Sequence, residues 1–133
     1  RIVAIAERRG GAVAEQVRDW LPVAYPRLLA WHRYLARERD PQRTGLVTVH
    51  HGWEGGMDNS PRWDGPYARV VVPPDLPPYQ RRDTRIVTDT RQRPTQLEYD
   101  RYLTSVEELK RAGYDDARIR ATASYLTTDV FMS

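Results

Sequence analysis

The chain has no cysteine, so it can form neither a disulfide framework nor a thiolate zinc site. Lysine is nearly absent too: Lys110 is the exception among 21 basic residues, and the rest are arginine. Net charge is small, because 18 acids offset those bases to leave +3. Acids and arginines alternate, as in Arg37-Glu38-Arg39-Asp40. That is the pattern of solvated helix faces, not the clustered basic patch of a nucleic-acid binder. No apolar run approaches the roughly 18 residues that a membrane-spanning helix needs. Internal repeats are missing. Only one short stretch, Leu46-Val47-Thr48-Val49-His50, reads as extended, so a sheet is not expected. These absences leave a small helical domain with a real core, and no nucleic acid, membrane, metal or cofactor as partner.

An initiator Met is also lacking. The chain opens on Arg1-Ile2-Val3-Ala4-Ile5-Ala6, as if a helix were already under way, and closes on the apolar stretch Asp129-Val130-Phe131-Met132-Ser133. It is expected to be a piece of a longer protein. As an isolated piece it is expected to expose apolar helix faces and to be poorly soluble.

Residues 2–9 read as helix, broken by Gly10-Gly11. A helical pattern then runs from about Val13 to Arg39, with Val17, Leu21, Tyr25, Leu28, Leu29, Trp31, His32 and Leu35 at three- and four-residue steps. Pro22 and Pro26 fall inside it, so a break near Leu21 is predicted. Trp20, Trp31 and His32 are assigned to the core. Asn59-Ser60-Pro61 predicts a short turn of helix over Pro61–Asp64. Residues 65–94 hold six prolines and read as a long ordered loop, anchored by Val70-Val71-Val72 and Ile86-Val87. Thr95 with Glu98 makes a capping box for a helix to about Ala112, with Leu97, Tyr102, Leu103, Val106, Leu109 and Lys110 as its stripe. Gly113 stops that helix, and Asp115 caps a last one through Ile119, Ala123, Leu126 and Val130.

The chemistry concentrates in one stretch. His51-Gly52-Trp53-Glu54-Gly55-Gly56-Met57-Asp58-Asn59-Ser60-Pro61-Arg62-Trp63-Asp64 gathers three carboxylates and two tryptophans. Indole faces stack on the apolar faces of sugars and exclude water. Glycosidic bonds break with one carboxyl group as proton donor and a second carboxylate as base or nucleophile. Asp58 follows two glycines that let the backbone approach a cleft. Burial beside Trp53 or Trp63 disfavours the charged form of such a carboxyl and suits a general acid. Arg62 is placed to pair with Asp64 or Glu54. Stripped of that chemistry, the same stretch reads as a well-made loop with a capping aspartate. His50 and His51, adjacent in an extended segment, point opposite ways and make a poor chelate.

Trp53-Glu54-Gly55-Gly56-Met57-Asp58-Asn59-Ser60-Pro61-Arg62-Trp63-Asp64 resembles the W-E-S-G-x-D-N-S-P-R-W-D signature of family 63 glycoside hydrolases, and within it the bacterial mannosylglycerate and glucosylglycerate hydrolases. Tyr25-Pro26-Arg27-Leu28-Leu29-Ala30-Trp31-His32-Arg33-Tyr34-Leu35 and Arg37-Glu38-Arg39-Asp40-Pro41 resemble the helix that leads into it. The likeness implies an all-α fold, with residues 1–133 as roughly a third of one (α/α)6 barrel. It implies an inverting, cytoplasmic glycosidase that acts on a sugar linked to a small anion such as glycerate. Asp58 matches the acid, and the base, a Glu, is expected beyond Ser133, so the piece alone is expected to be inactive. His51 matches the family's histidine and is expected to orient a sugar hydroxyl. Trp53 and Trp63 become sugar walls, with Glu54, Asn59, Arg62 and Asp64 as further substrate-side residues. Arg93 and Tyr99 match the loop pair that holds the anionic aglycone; the plainer alternative is a solvated arginine and a packing tyrosine. Gly52 and Gly55 stand where the signature has Pro and Ser, which suggests a looser loop. Trehalase-like or oligosaccharide α-glucosidase activity and a non-catalytic helical sugar-binding module are the other readings.

Overall fold

A computed structural model describes residues 1–87, 89–130 and 132–133. The terminal stretch 129–133 thus lies outside the described residues at Phe131. No helix among the described residues is long and apolar enough to cross a membrane. The chain divides into two compact units, Arg1–Arg37 and Glu38–Ser133.

In the first unit, α1 (Ile2–Arg9) packs on α2 (Gly11–Tyr34). Buried Ala6 and Ala14, one on each helix, are small enough to let the two approach. Gly10 and Gly11 both take positive φ, 64° and 55°, which only glycine adopts at little cost. The helix break predicted near Leu21 is absent. α2 runs through Pro22 and Pro26; the carbonyls they leave without donors belong to Arg18 and Pro22, both exposed residues, where water can serve as the missing donor. Trp20 and Trp31 are about half exposed, and His32 is exposed, so none of the three is core in this unit. The reason is physical: α1 is short and covers one narrow strip of α2. A π-helical turn follows at Leu35–Arg39.

The second unit is built around the aromatic cluster Val49, Trp63, Tyr67, Val70, Tyr102 and Tyr125. Its central helix, α5 (Gln96–Arg111), starts on the predicted capping box. The Thr95 side chain accepts from the Glu98 amide, and the Glu98 carboxylate accepts the Thr95 amide at 2.6 Å. Tyr102 is the buried member of its stripe; Leu97 and Lys110 are exposed. Gly113, at φ 64°, ends it as expected. Asp115 caps α6 (Asp116–Thr122), accepting the Arg118 amide at 2.8 Å.

Two expectations fail here together. α6 stops at Thr122 instead of continuing to Val130, and Thr127–Asp129 form a strand, β2. It pairs antiparallel with β1 (Val47–Val49), Thr128 opposite Thr48, so the extended segment is not isolated. β-branched Thr127 and Thr128 favour the ladder over another helical turn. The described residues are mostly helical, with one small two-stranded sheet. The Pro-rich segment is also less irregular than expected, holding α3 (Asp64–Ala68), α4 (Asp83–Ile86) and a 3-10 turn at Thr90–Gln92. Val70 anchors it in the core, whereas Val71 and Ile86 are exposed and anchor nothing.

Candidate active site

β1 delivers the chain into the motif, and each flank of the motif is fastened to a different element. His51 is buried. Its Nδ1 accepts the Trp53 amide at 3.1 Å and its Nε2 meets the Tyr102 carbonyl at 3.0 Å. An amide only donates and a carbonyl only accepts, so the ring is neutral with its proton on Nε2. Burial also pulls its proton affinity down. With both nitrogens engaged, His51 supports the turn and does not reach a sugar hydroxyl.

Gly52 is buried, and its amide donates to the Tyr67 hydroxyl at 3.0 Å. A side chain there would come within 3.1 Å of the Trp63 ring. At Gly55 an added Cβ would lie 2.8 Å from an Asp129 oxygen. Far from loosening the loop, these two glycines let an indole and a strand pack directly on its backbone.

The Glu54 carboxylate pairs with Arg39 at 2.8 Å. Arg39 also reaches the Thr48 carbonyl at 3.2 Å and Asp116 at 2.7 Å, tying β1, the motif and α6 together. Arg62 does not pair with Asp64 or Glu54 as expected. It pairs with Asp129 at 3.0 Å and lies over the Trp63 ring, because strand pairing brings β2 beneath the motif. Trp63 is 2% exposed and donates from Nε1 to the Met57 carbonyl at 2.8 Å, so it is core and not a sugar wall. Trp53 is 36% exposed, against Tyr99 at 6.2 Å between ring centroids, and remains available to a ligand.

Between these anchors, Met57–Ser60 form a tight turn closed by the Ser60 amide on the Met57 carbonyl at 3.0 Å. Asp58 and Asn59 ride on it, exposed. Asp58 is therefore not buried beside an indole as expected. Beside the turn lies a cleft of about 320 Å³, lined among others by Asn59, Asp64, Arg91, Arg93, Glu98 and Tyr102. It brings the motif to the loop that carries Arg93. Tyr99 is half-buried in an aromatic rank with Tyr79, Trp53 and Tyr102. Among the described residues no group of three His, Asp or Glu side chains converges to hold a metal ion.

Arg39, Tyr67, Tyr102 and Asp129 were not singled out as site residues from the sequence. Only Tyr102 left a local signal, its place on the α5 stripe. The others reach the motif from far along the chain: Arg39 pairs with Glu54 and Tyr67 with Gly52, each 15 residues away, and Asp129 with Arg62, 67 away.

His50 behind the motif gives a pH prediction. Its ring is 1% exposed. Burial, then the Arg39 charge, lowers it from 6.5 to about 4; Arg120 adds to this, while Glu54 and Asp116 oppose it. The unfolded chain takes up this proton near 6.5 and the folded chain only near 4. Stability held above pH 6.5 is therefore lost as pH falls towards 4, by about 3 kcal/mol in full. Urea midpoints across pH 7.5–4.5 should fall, and His50→Gln should flatten the slope. A slope that is unchanged in the variant contradicts this.

Comparison with known proteins places the chain. The model of the mannosylglycerate hydrolase MGH1-like glycoside hydrolase domain matches residues 2–133. The glucosylglycerate hydrolase of Mycolicibacterium hassiacum is 48% identical over 133 residues, all of this chain and 30% of that protein. A mannosylglycerate hydrolase of Thermus thermophilus is 48% identical over 116 residues, covering 87% of this chain and 28% of that protein. A crystal structure of the GH63 mannosylglycerate hydrolase from Thermus thermophilus, in complex with Tris and D-glycerate, superposes with a TM-score of 0.82 at 41% identity. That match covers 94% of this chain and 30% of the other, so the chain spans under a third of its relatives' length. By sequence and by fold alike, it belongs to the mannosylglycerate hydrolase MGH1-like glycoside hydrolase domain family.

Proposed function

We propose that the chain is the acid-bearing part of an inverting α-glycosidase that hydrolyses a glycosylglycerate, either glucosylglycerate or mannosylglycerate. One observation carries this reading: Asp58 stands exposed at the tip of a turn whose neighbours Glu54, Arg62 and Trp63 are all fastened from behind. A proton donor needs that combination, a free carboxyl on a fixed frame. Asp58 gives its proton to the glycosidic oxygen, which leaves as the glycerate hydroxyl. A glutamate beyond Ser133 takes a proton from water, and that water attacks the anomeric carbon from the opposite face. Inverting pairs stand about 6.5–9.5 Å apart to leave room for the water. Both atoms and charge balance: one water is consumed, and a sugar of inverted configuration and glycerate are released. The helices described above are then part of an (α/α)6 barrel, whose remaining helices close over Asp58.

Trp53 offers its exposed face to the sugar, Asn59 and Asp64 line the cleft beside it, and Arg93 holds the glycerate carboxylate. Tyr99 supports that end through its ring stack. A substrate panel on the full-length protein tests this. Glucosylglycerate or mannosylglycerate should be cleaved and trehalose should not. Arg93→Ala should raise KM for the glycerate substrate about ten- to a hundredfold, the worth of a charge-assisted bond. Cleavage of trehalose with neither glycosylglycerate touched sinks the reading and favours a trehalase-like enzyme.

A further inference from the structure

Asp83, the first residue of α4, accepts from two arginines at once. Arg81 grips it with two parallel bonds, Nε to Oδ1 at 3.1 Å and Nη2 to Oδ2 at 2.7 Å. Arg93 adds its Nε to the same Oδ2 at 3.2 Å. The Arg81 and Asp83 side chains are only 11% and 10% exposed, so the fork is largely shielded from water. Arg81 makes two further contacts. Its Nη2 donates to the Pro94 carbonyl at 2.8 Å, one residue past Arg93. Its guanidinium carbon sits 4.5 Å over the Tyr99 ring.

We propose that Arg81 and Asp83 form a clip that holds Arg93 and Tyr99 in one geometry and thereby sets selectivity for an anionic aglycone. The proposal rests on the glycosylglycerate reading above. Three physical points support it. First, Asp83 takes Arg93 by Nε, and the two terminal nitrogens of Arg93 have no protein partner among the described residues. Those two nitrogens form the edge that matches a carboxylate. Second, two arginines on one aspartate leave a single net positive charge, enough for one carboxylate. Third, the clip reaches both ends of the ligand. Through Pro94 and Asp83 it fixes the arginine, and through Tyr99 it touches Trp53 on the sugar side. An untethered arginine loses side-chain freedom on each binding event; a tethered one has lost it already.

Asp83 and Arg81 are thus positioning residues, and a KM-against-kcat split reads them. In the full-length protein, Asp83→Ala should raise KM for the glycosylglycerate about tenfold, with kcat moving less. Its kcat/KM on a neutral aryl glycoside of the same sugar should fall at least about fivefold less. Asp83→Glu keeps the charge and should recover part of the loss. Arg81→Lys keeps charge but not the fork or the stack, and should resemble Asp83→Ala. If the alanine variant fails to fold, Asp83→Glu and Arg81→Lys carry the comparison, with Arg81→Lys again the more selective loss. Equal losses on both substrates make the clip mere scaffold and overturn the proposal. A lowered KM for the anion overturns it too, since Asp83 would then be a competing charge. Arg93→Ala separates the two levels. If it abolishes selectivity while the Asp83 variants keep it, the clip falls and the anion site stands. Should Arg93→Ala itself leave selectivity intact, the anion site falls and the clip with it.

Discussion

Asp58→Asn should lower kcat of the full-length protein on a glycosylglycerate by about 10²–10⁴-fold, the usual worth of a general acid, with KM nearly unchanged. Asparagine has almost the same shape but no proton to give to a departing oxygen. Among the described residues the Asp58 carboxylate holds no hydrogen bond or ion pair: the turn is closed by backbone, and its supports are Trp63, Arg62 and Glu54 on other partners. Stability should therefore not move. The decisive control is a leaving group that needs no proton. On the matching glycosyl fluoride the loss should shrink to a small fraction of that on the natural ether, because fluoride departs unprotonated. Equal losses on the two substrates, or undiminished turnover on the natural one, remove Asp58 from the acid role. A fall in the unfolding midpoint shows instead that the variant disturbs the turn.

What singled out Asp58 in the sequence was the density of rare residues around it, not any view of its surroundings. The helix ends were also marked by local residues. Thr95 with Glu98, Asp115 with the Arg118 amide, and Gly10-Gly11 are signals completed within four residues, and all three stand in the fold as read. The failures are of another kind. β1 is extended as read, but β2 is three residues long and pairs with that strand from far along the chain, so its own residues did not announce it. Arg62 had two acids close by in sequence, yet the sheet carries Asp129 to it. Pro22 and Pro26 were read as breaks because their cost is intrinsic, while its relief depends on whether the orphaned carbonyls meet water. Gly52 and Gly55 looked like slack; the structure shows them as contact points for Trp63 and Asp129. In each case the missing information was which distant group occupies the neighbouring space.

The two tryptophans of the motif show this division most sharply, and they lead to the largest stability effect expected here. Trp63→Ala should destabilise the protein by about 3–5 kcal/mol, the range for emptying a buried aromatic site. The ring is 2% exposed, within a cluster that includes Val49, Tyr67, Val70 and Tyr102. Gly52 packs so closely on it that an added Cβ would lie 3.1 Å from the ring, so the site cannot collapse from that side without moving the motif. The variant also strips the Met57 carbonyl of its donor, adding roughly 1 kcal/mol at the start of the Asp58 turn. Trp63→Phe restores most of the volume and none of the hydrogen bond, and should lose about half as much. Denaturant midpoints at constant slope read both. Trp53→Ala should do the reverse. Its ring is 36% exposed and rests on Tyr99, so the variant should raise KM with little change in midpoint. A raised KM and an unmoved midpoint for Trp63→Ala would return that ring to the substrate side. The expected opposite pattern means that one indole meets the sugar and the other holds still the turn from which the proton leaves.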